Sequence, residues 1–286
     1  MSPRLKQFLP KPLRPPLRRL YTVSVKTYDA VAYRVGVRLG TRDELVPPRS
    51  VHCIGSGDFV SVGDEFFRYF VELCDLRPQD RVLDVGCGTG RMARPLTKYL
   101  RGGSYEGFDI AADAIDWCQK HITPKHPNFK FQVADVYNKA YNPRGKSQAS
   151  RYRFPFPGES FDFVSLTSVF THMLTADMEN YMSEIARVLK PGGRCLITYL
   201  LLNDESRRLI AAKKSYHTLG YETEGCWFED ANCPEAVVGY DEPAIRDLYR
   251  RSELDISERI RFGSWCGRPD GMSWQDVVIA VKPEEI

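Results

Sequence analysis

The stretch RVLDVGCGTGR, residues 81–91, limits what this chain can fold into more than any other part of it. An apolar run carries one acid, Asp84, and then breaks into glycines at alternate positions, Gly86, Gly88 and Gly90. Glycines this dense weaken a strand and open a helix poorly. They belong where the chain must turn tightly, or where something must come close to the backbone.

Strands and helices alternate on both sides of this stretch. Phe66, Phe67, Phe70, Leu73 and Cys74 make a helical stripe before it. RVLDVG reads as a strand, and RMARPLTKYL as a helix that tolerates Pro95 only in its first turn. SYEGFDI is the next strand, followed by a helix lined by Ile115, Cys118 and Ile122. NFKFQVADV and FDFVSLTSV are strands. Met178, Tyr181, Met182, Ile185, Val188 and Leu189 predict an amphipathic helix, with Thr175 as its N-cap and PGG at 191–193 as its stop. RCLITYLL is a strand, and Pro243 starts a helix carrying Ile245, Leu248 and Tyr249. LDISERIRF and QDVVIAVK read as two strands with no helix between them, so they should pair antiparallel. The alternation predicts an α/β fold with a mostly parallel sheet.

Charge divides the chain unevenly. Residues 1–42 hold ten Lys/Arg and one acid, Asp29, for a net of +9. The other 30 bases and 36 acids leave residues 43–286 at −6. A Pro/Arg-rich arm is expected over 1–50, with a helix within 21–40, and the main domain over 51–286. The first twenty residues hold too many prolines for a continuous helix and lack the apolar core of a secretory signal. No apolar run is long enough to span a membrane. The scattered cysteines form no CxxC pair, which points to a reduced, cytoplasmic chain without disulfides or a metal site.

In an open α/β sheet, ligands bind beyond the carboxyl ends of the strands. Asp84 stands just before the first glycine, where a carboxylate suits an ammonium better than a pyrophosphate. Dinucleotide sites usually read G-x-G-x-x-G, whereas the spacing here is G-x-G-x-G. Asp109 ends the next strand and suits the two hydroxyls of a ribose. Asp135 ends the strand after that, where it can accept from an adenine amino group with Val136 on the ring face. One ligand satisfies all three acids: an adenosine joined to a cationic amino-acid tail. Taken singly, the glycines also fit a tight turn and each acid a solvated loop.

LDVGCGTG, GFDI, VAD, SFDFVSL and RVLKPGGRCLI, in this order and spacing, resemble the class I S-adenosylmethionine-dependent methyltransferases, in particular the small-molecule, type 11/25-like group. The resemblance is densest over 81–198. It implies a Rossmann-like, seven-stranded, mostly parallel sheet with an antiparallel last strand and helices on both faces. It implies S-adenosyl-L-methionine as cofactor. Asp84, Gly86, Gly88 and Gly90 would hold the methionine part, Asp109 and Ile110 the ribose, and Asp135 and Val136 the adenine. Leu166 would meet the ammonium through its backbone.

The acceptor is less defined. The fourth strand ends in SLTS, without the Asn/Asp-Pro-Pro-aromatic motif of adenine methylation or the acids of metal-dependent catechol enzymes. This favours metal-independent transfer to a small-molecule, sugar or lipid-linked acceptor, with oxygen preferred and nitrogen the rival. The insert 136–160 carries five Lys/Arg and one acid, and the aromatic segment 203–240 is placed to act as a lid, although both also suit ordinary surface decoration. An RNA methyltransferase using the basic arm is an alternative, but the main domain is acidic and has no RNA-binding module, which argues against nucleic acid. A non-catalytic cofactor-binding protein is another. Residues 1–42 mix Lys/Arg with Leu, Phe and Tyr, which suits an anionic membrane surface as well as a solvated tail or a segment packed on the domain, so a peripheral position at the membrane is open. His172, in VFTHML, is the candidate catalytic base, the alternative being that it only pins the loop.

Overall fold

A computed structural model describes residues 27–52, 57–257 and 259–284 of the chain. The chain divides into two units between Ser56 and Gly57. In the first, residues 27–38 are helical, within the 21–40 span where a helix is expected; residues 21–26 of that span lie outside the described residues. Tyr33 is buried and donates its hydroxyl to Glu44 O at 2.6 Å, under the Arg42 guanidinium. The Pro/Arg-rich segment 1–20 also lies outside the described residues.

The second unit opens with helix α1 (Phe59–Glu72), capped by Asp58, whose side chain accepts from Ser61 N. The strands β1 (Arg81–Val85), β2 (Ser104–Asp109), β3 (Phe129–Val133), β4 (Phe161–Leu166) and β5 (Leu189–Tyr199) follow, separated by α2 (Ala93–Tyr99), α3 (Ala112–His121) and α4 (Thr175–Val188). After β5 come β6 (Leu201–Leu202), α5 (Asp204–Ala211), β7 (Tyr221–Thr223), β8 (Cys226–Phe228), β9 (Val238–Asp241), α6 (Glu242–Arg251), β10 (Asp255–Ile256) and β11 (Asp276–Val281). Pro95 falls in the first turn of α2, where its missing N–H costs no bond.

The main sheet runs β10-β11-β5-β4-β1-β2-β3. β1 to β5 pair parallel, and β11 pairs antiparallel with both β5 and β10. The Rossmann-like sheet with a reversed last strand is therefore the fold of this chain. Successive residues of a strand face opposite sides, and β4 shows both sides covered. Phe163 packs on Phe70 of α1, while Val164 joins the core that holds Met182 and Ile185 of α4.

Three local expectations are corrected. Thr175 is not the N-cap of α4: Leu174 takes that position without a side-chain bond, and the Thr175 hydroxyl is turned inward. The PGG segment does not stop α4 either. Leu189 is already extended and pairs with Phe161, so sheet pairing ends the helix. Pro191, Gly192 and Gly193 instead form an irregularity inside β5, where Gly192 adopts φ +73° and donates to Lys282 O. The strand expected in LDISERIRF shrinks to β10, with one further bridge from Arg261 to Val277.

Strands within 201–241 form a second sheet, β6-β9-β8-β7, that the sequence pattern does not reveal. Its strands run from two to four residues, too short to show a period. Asp276 ties this layer to the main sheet. Its fully buried carboxylate accepts from Leu201 N, Gly263 N, Trp265 Nε1 and Arg268 Nη1 at 2.6 to 3.2 Å. Arg268 reaches onward to Glu205 and Asn203, at the start of α5. Asp276→Ala strands these buried donors and leaves Arg268 without its central partner, which should cost about 3–5 kcal/mol of folding stability. Urea denaturation of the variant checks this, and a loss under about 1 kcal/mol would contradict the assigned role.

Candidate active site

The glycine segment leaves β1 and folds back over the end of β2. Gly86 N and Cys87 N both donate to Phe108 O, at 2.8 and 3.1 Å. Gly88 N donates to Asp109 Oδ2 at 2.7 Å, and Ala111 N donates to Asp109 Oδ1 at 2.8 Å. All three glycines have positive φ, a region other residues rarely enter. Their surroundings differ. A Cβ on Gly86 would stand 2.2 Å from Val169 Cγ2, and one on Gly90 would stand 2.6 Å from Ile122 Cδ1. A Cβ on Gly88 would meet nothing within 4 Å. At Gly86 and Gly90 packing leaves no room for a side chain, whereas Gly88 has open space where a side chain would stand.

The acids at the strand ends fall into three different settings. Asp84 has no exposed surface, and its oxygens accept from Tyr105 Oη at 2.6 Å and Ser165 Oγ at 3.0 Å. The expectation that Asp84 faces a ligand ammonium is corrected: its side chain lies inside the sheet, bracing β2 and β4. Burial pushes its carboxyl up to about 6, against the pull of the two hydroxyls. Asp109 is nearly buried, and burial raises its pKa while the amides of Ala111 and Gly88 hold it down. A carboxylate has about four acceptor positions, so Asp109 keeps capacity for a ligand hydroxyl. Asp135 is exposed, and its carboxylate lies 3.8 Å from Lys146 Nζ.

The apolar site candidates are placed as follows. Ile110 is half-buried after the end of β2. Val136 and Leu166 are both core residues, at 2% and 0% exposure, so any contact they make with a ligand runs through backbone or one edge. Beyond Leu166, Ser168 adopts φ +59° and is held by Thr198 Oγ1 and Gln275. Strained backbone of this kind collects at functional sites.

His172 ends a 3-10 turn, Phe170–His172, that starts beside Val169, the residue packed on Gly86. Its Nδ1 lies 3.1 Å from Glu235 O. A carbonyl only accepts, so Nδ1 carries the proton and Nε2 is left as an acceptor. Tyr141 Oη lies 3.3 Å from that Nε2, with the two rings packed edge to face at 4.8 Å. Burial lowers the His172 pKa. Asn138 organises the pair: its Oδ1 accepts from Ala140 N and Tyr141 N, and its Nδ2 donates to His172 O. The sequence reading named His172 but missed Tyr141 and Asn138, which come from the insert and meet the histidine only through the tertiary fold.

The aromatic lid expectation is partly overturned. Tyr240 is a core residue whose hydroxyl donates to Phe170 O and Met173 O. Trp227 is taken up by Arg207 and Asp241, and His217 by Glu229. Tyr216 and Tyr221 remain exposed. In the insert, Tyr152, Phe154 and Phe156 pack on Phe108, so its aromatic half belongs to the core. Among the described residues, no group of three or more His, Cys, Asp or Glu converges as metal ligands.

A strand-end site on a sheet of this topology lies where α/β proteins bind their ligands. The family model "Methyltransferase domain" matches residues 83–197. A fatty-acid O-methyltransferase of Mycolicibacterium smegmatis is 30% identical over 198 residues, covering 61% of this chain and 65% of that protein. Phosphoethanolamine N-methyltransferase 3 of Arabidopsis thaliana is 25% identical over 210 residues, covering 70% and 38%. A solved S-adenosylmethionine-dependent methyltransferase from Methanosarcina mazei shares the fold at 23% identity, with a TM-score of 0.51 over 73% of this chain and 95% of that one. The chain thus spans less than two thirds of the length of these two curated relatives. Residues 83–197 thus match a methyltransferase domain, and the cofactor this likeness indicates is S-adenosyl-L-methionine.

The Asp84 carboxyl has a measurable consequence. Its pKa is about 6 in the fold against the ordinary 3.8, so the fold favours the protonated form. That contribution is complete below pH 3.8 and is lost as pH rises through 6. Asp84→Asn should therefore gain stability relative to the native chain by about 3 kcal/mol between pH 3.8 and 7. Urea denaturation at both pH values measures the gap, and a gap independent of pH would contradict it.

Proposed function

We propose that this methyltransferase acts on an oxygen of a small-molecule, sugar or lipid-linked acceptor without a metal ion, with nitrogen as the second acceptor atom. The observation that carries the oxygen reading is the state of His172. Its Nδ1–H is committed to Glu235 O, its lowered pKa keeps the ring neutral at pH 7, and its Nε2 faces the Tyr141 hydroxyl. A hydroxyl acceptor must lose a proton as its oxygen attacks, and a neutral imidazole is suited to take it. Nε2 would receive that proton directly, or through Tyr141 Oη.

The residues present fit the cofactor, because open space lies where a side chain on Gly88 would stand and Asp109 and Asp135 keep acceptor capacity at two strand ends. Gly88 would take the methionine part, within the turn shaped by Gly86 and Gly90. Asp109 and Ile110 would take the ribose, Asp135 and the edge of Val136 the adenine, and the backbone of Leu166 the ammonium. Asp84 would act from beneath by holding the strand ends in place. When bound, the cofactor supplies an electrophilic methyl group on a sulfonium. The protein's share is then alignment, exclusion of water and removal of one proton. The likeness to a fatty-acid O-methyltransferase supports a lipid-type oxygen acceptor, and the likeness to a phosphoethanolamine N-methyltransferase keeps nitrogen in view.

Methyl-labelled cofactor incubated with lipid, quinone and glycan extracts identifies the acceptor. With that acceptor, His172→Gln should lower turnover by about 10²–10⁴ and leave cofactor affinity unchanged. The native rate should rise with pH through a midpoint below the ordinary histidine value of 6.5, and the variant should lose that limb. A fall of only a few-fold with the limb retained would remove His172 as the base.

A further inference from the structure

The helix over residues 27–38 turns an apolar stripe outward. Tyr28, Val31, Val35 and Leu39 are 77%, 51%, 50% and 71% exposed. Their spacing keeps them on one line of a helix turning about 100° per residue, and exposed Ala32 lies on it. The opposite side holds Tyr33, buried and bonded to Glu44 within the same unit. The inner side is thus already packed, and a helix that faced only water would carry polar side chains where these four stand. Arg34 and Arg38, one turn apart and both exposed, run along one flank. Asp29, on the other flank, has its carboxylate engaged by Ser50 N.

We propose that this helix lies flat on an anionic membrane, with the Tyr28–Leu39 stripe at the boundary of headgroups and acyl chains and Arg34 and Arg38 on the lipid phosphates. Charge selects this occupant over a second copy of the chain. Residues 1–42 carry ten Lys/Arg and one acid, so two such segments repel each other while an anionic surface attracts both. RNA would meet the arginines and leave the apolar stripe in water. A helix with an apolar face, a basic flank and too short a run to span is suited to lie in the interface. The inference stands apart from the identity of the acceptor, and its test needs no methyl transfer.

The test is co-sedimentation of the full chain with vesicles of phosphatidylcholine alone, or of phosphatidylcholine with about a quarter phosphatidylglycerol. The full chain should sediment with the anionic vesicles at low salt and be released at high salt. The double variant Val31→Asp, Val35→Asp should bind them at least about tenfold more weakly, with cofactor affinity unchanged. Arg34→Ala with Arg38→Ala, which leaves the apolar stripe intact, should weaken binding by about tenfold or more. Failure of the full chain to bind anionic vesicles at low salt overturns the proposal, as does undiminished binding by the stripe variant. A concentration-dependent dimer that the stripe variant abolishes also overturns it, in favour of a second copy.

Discussion

A single buried carboxyl holds the centre of this structure together. Asp84 sits in β1, the middle one of the five parallel strands, and accepts from a hydroxyl on each neighbouring strand, Tyr105 on β2 and Ser165 on β4. A carboxyl with no exposed surface is tolerated only because both oxygens are partnered. Its bonds tie the carboxyl end of β1 to the carboxyl end of β4 and to the start of β2, three strands from which the candidate site is built. The glycine turn rests on that frame, with its amides delivered to Phe108 O and to the Asp109 carboxylate.

The glycines of the turn look alike in the sequence and differ in their surroundings. Gly86 and Gly90 are glycines because Val169 and Ile122 occupy the space a side chain would need. Gly88 has that space free. The contact between Gly86 and Val169 also links the glycine turn to the turn that ends in His172. Tyr240, from the second sheet, bonds the backbone of the same turn at Phe170 and Met173. The small sheet that follows β5 thus supports the histidine, although it was not visible as a sheet beforehand.

The order of strands and helices was legible because apolar runs and amphipathic periods survive in the linear sequence. The reversed last strand was legible for a simple reason: no helix separates β10 from β11. Helix ends were not. Thr175 has the chemistry of a cap, but the first helical residue is decided by how the turn before it packs, and Leu189 leaves α4 because Phe161 is there to pair with it. The acid at position 84 was visible, but the direction of its side chain depends on strand register, and that was read toward a ligand instead of into the sheet. Tyr141 gave no local signal. It meets His172 across 31 residues, through an Asn138 turn that only the folded insert forms.

The central claim is that Asp109 holds the ribose of an adenosyl cofactor above the open face of Gly88. Because Asp109 also braces Gly88 N, a simple loss of affinity in Asp109→Ala would not separate holding the ribose from shaping the turn. Calorimetric titration with S-adenosylhomocysteine and with its analogue lacking both ribose hydroxyls separates the two. The native chain should prefer the intact ribose by about tenfold or more, since hydrogen bonds to a charged group contribute roughly 1.5–3 kcal/mol each. Asp109→Ala should bind both compounds equally. A native chain that does not distinguish them, or a variant that keeps the full preference, would contradict the account.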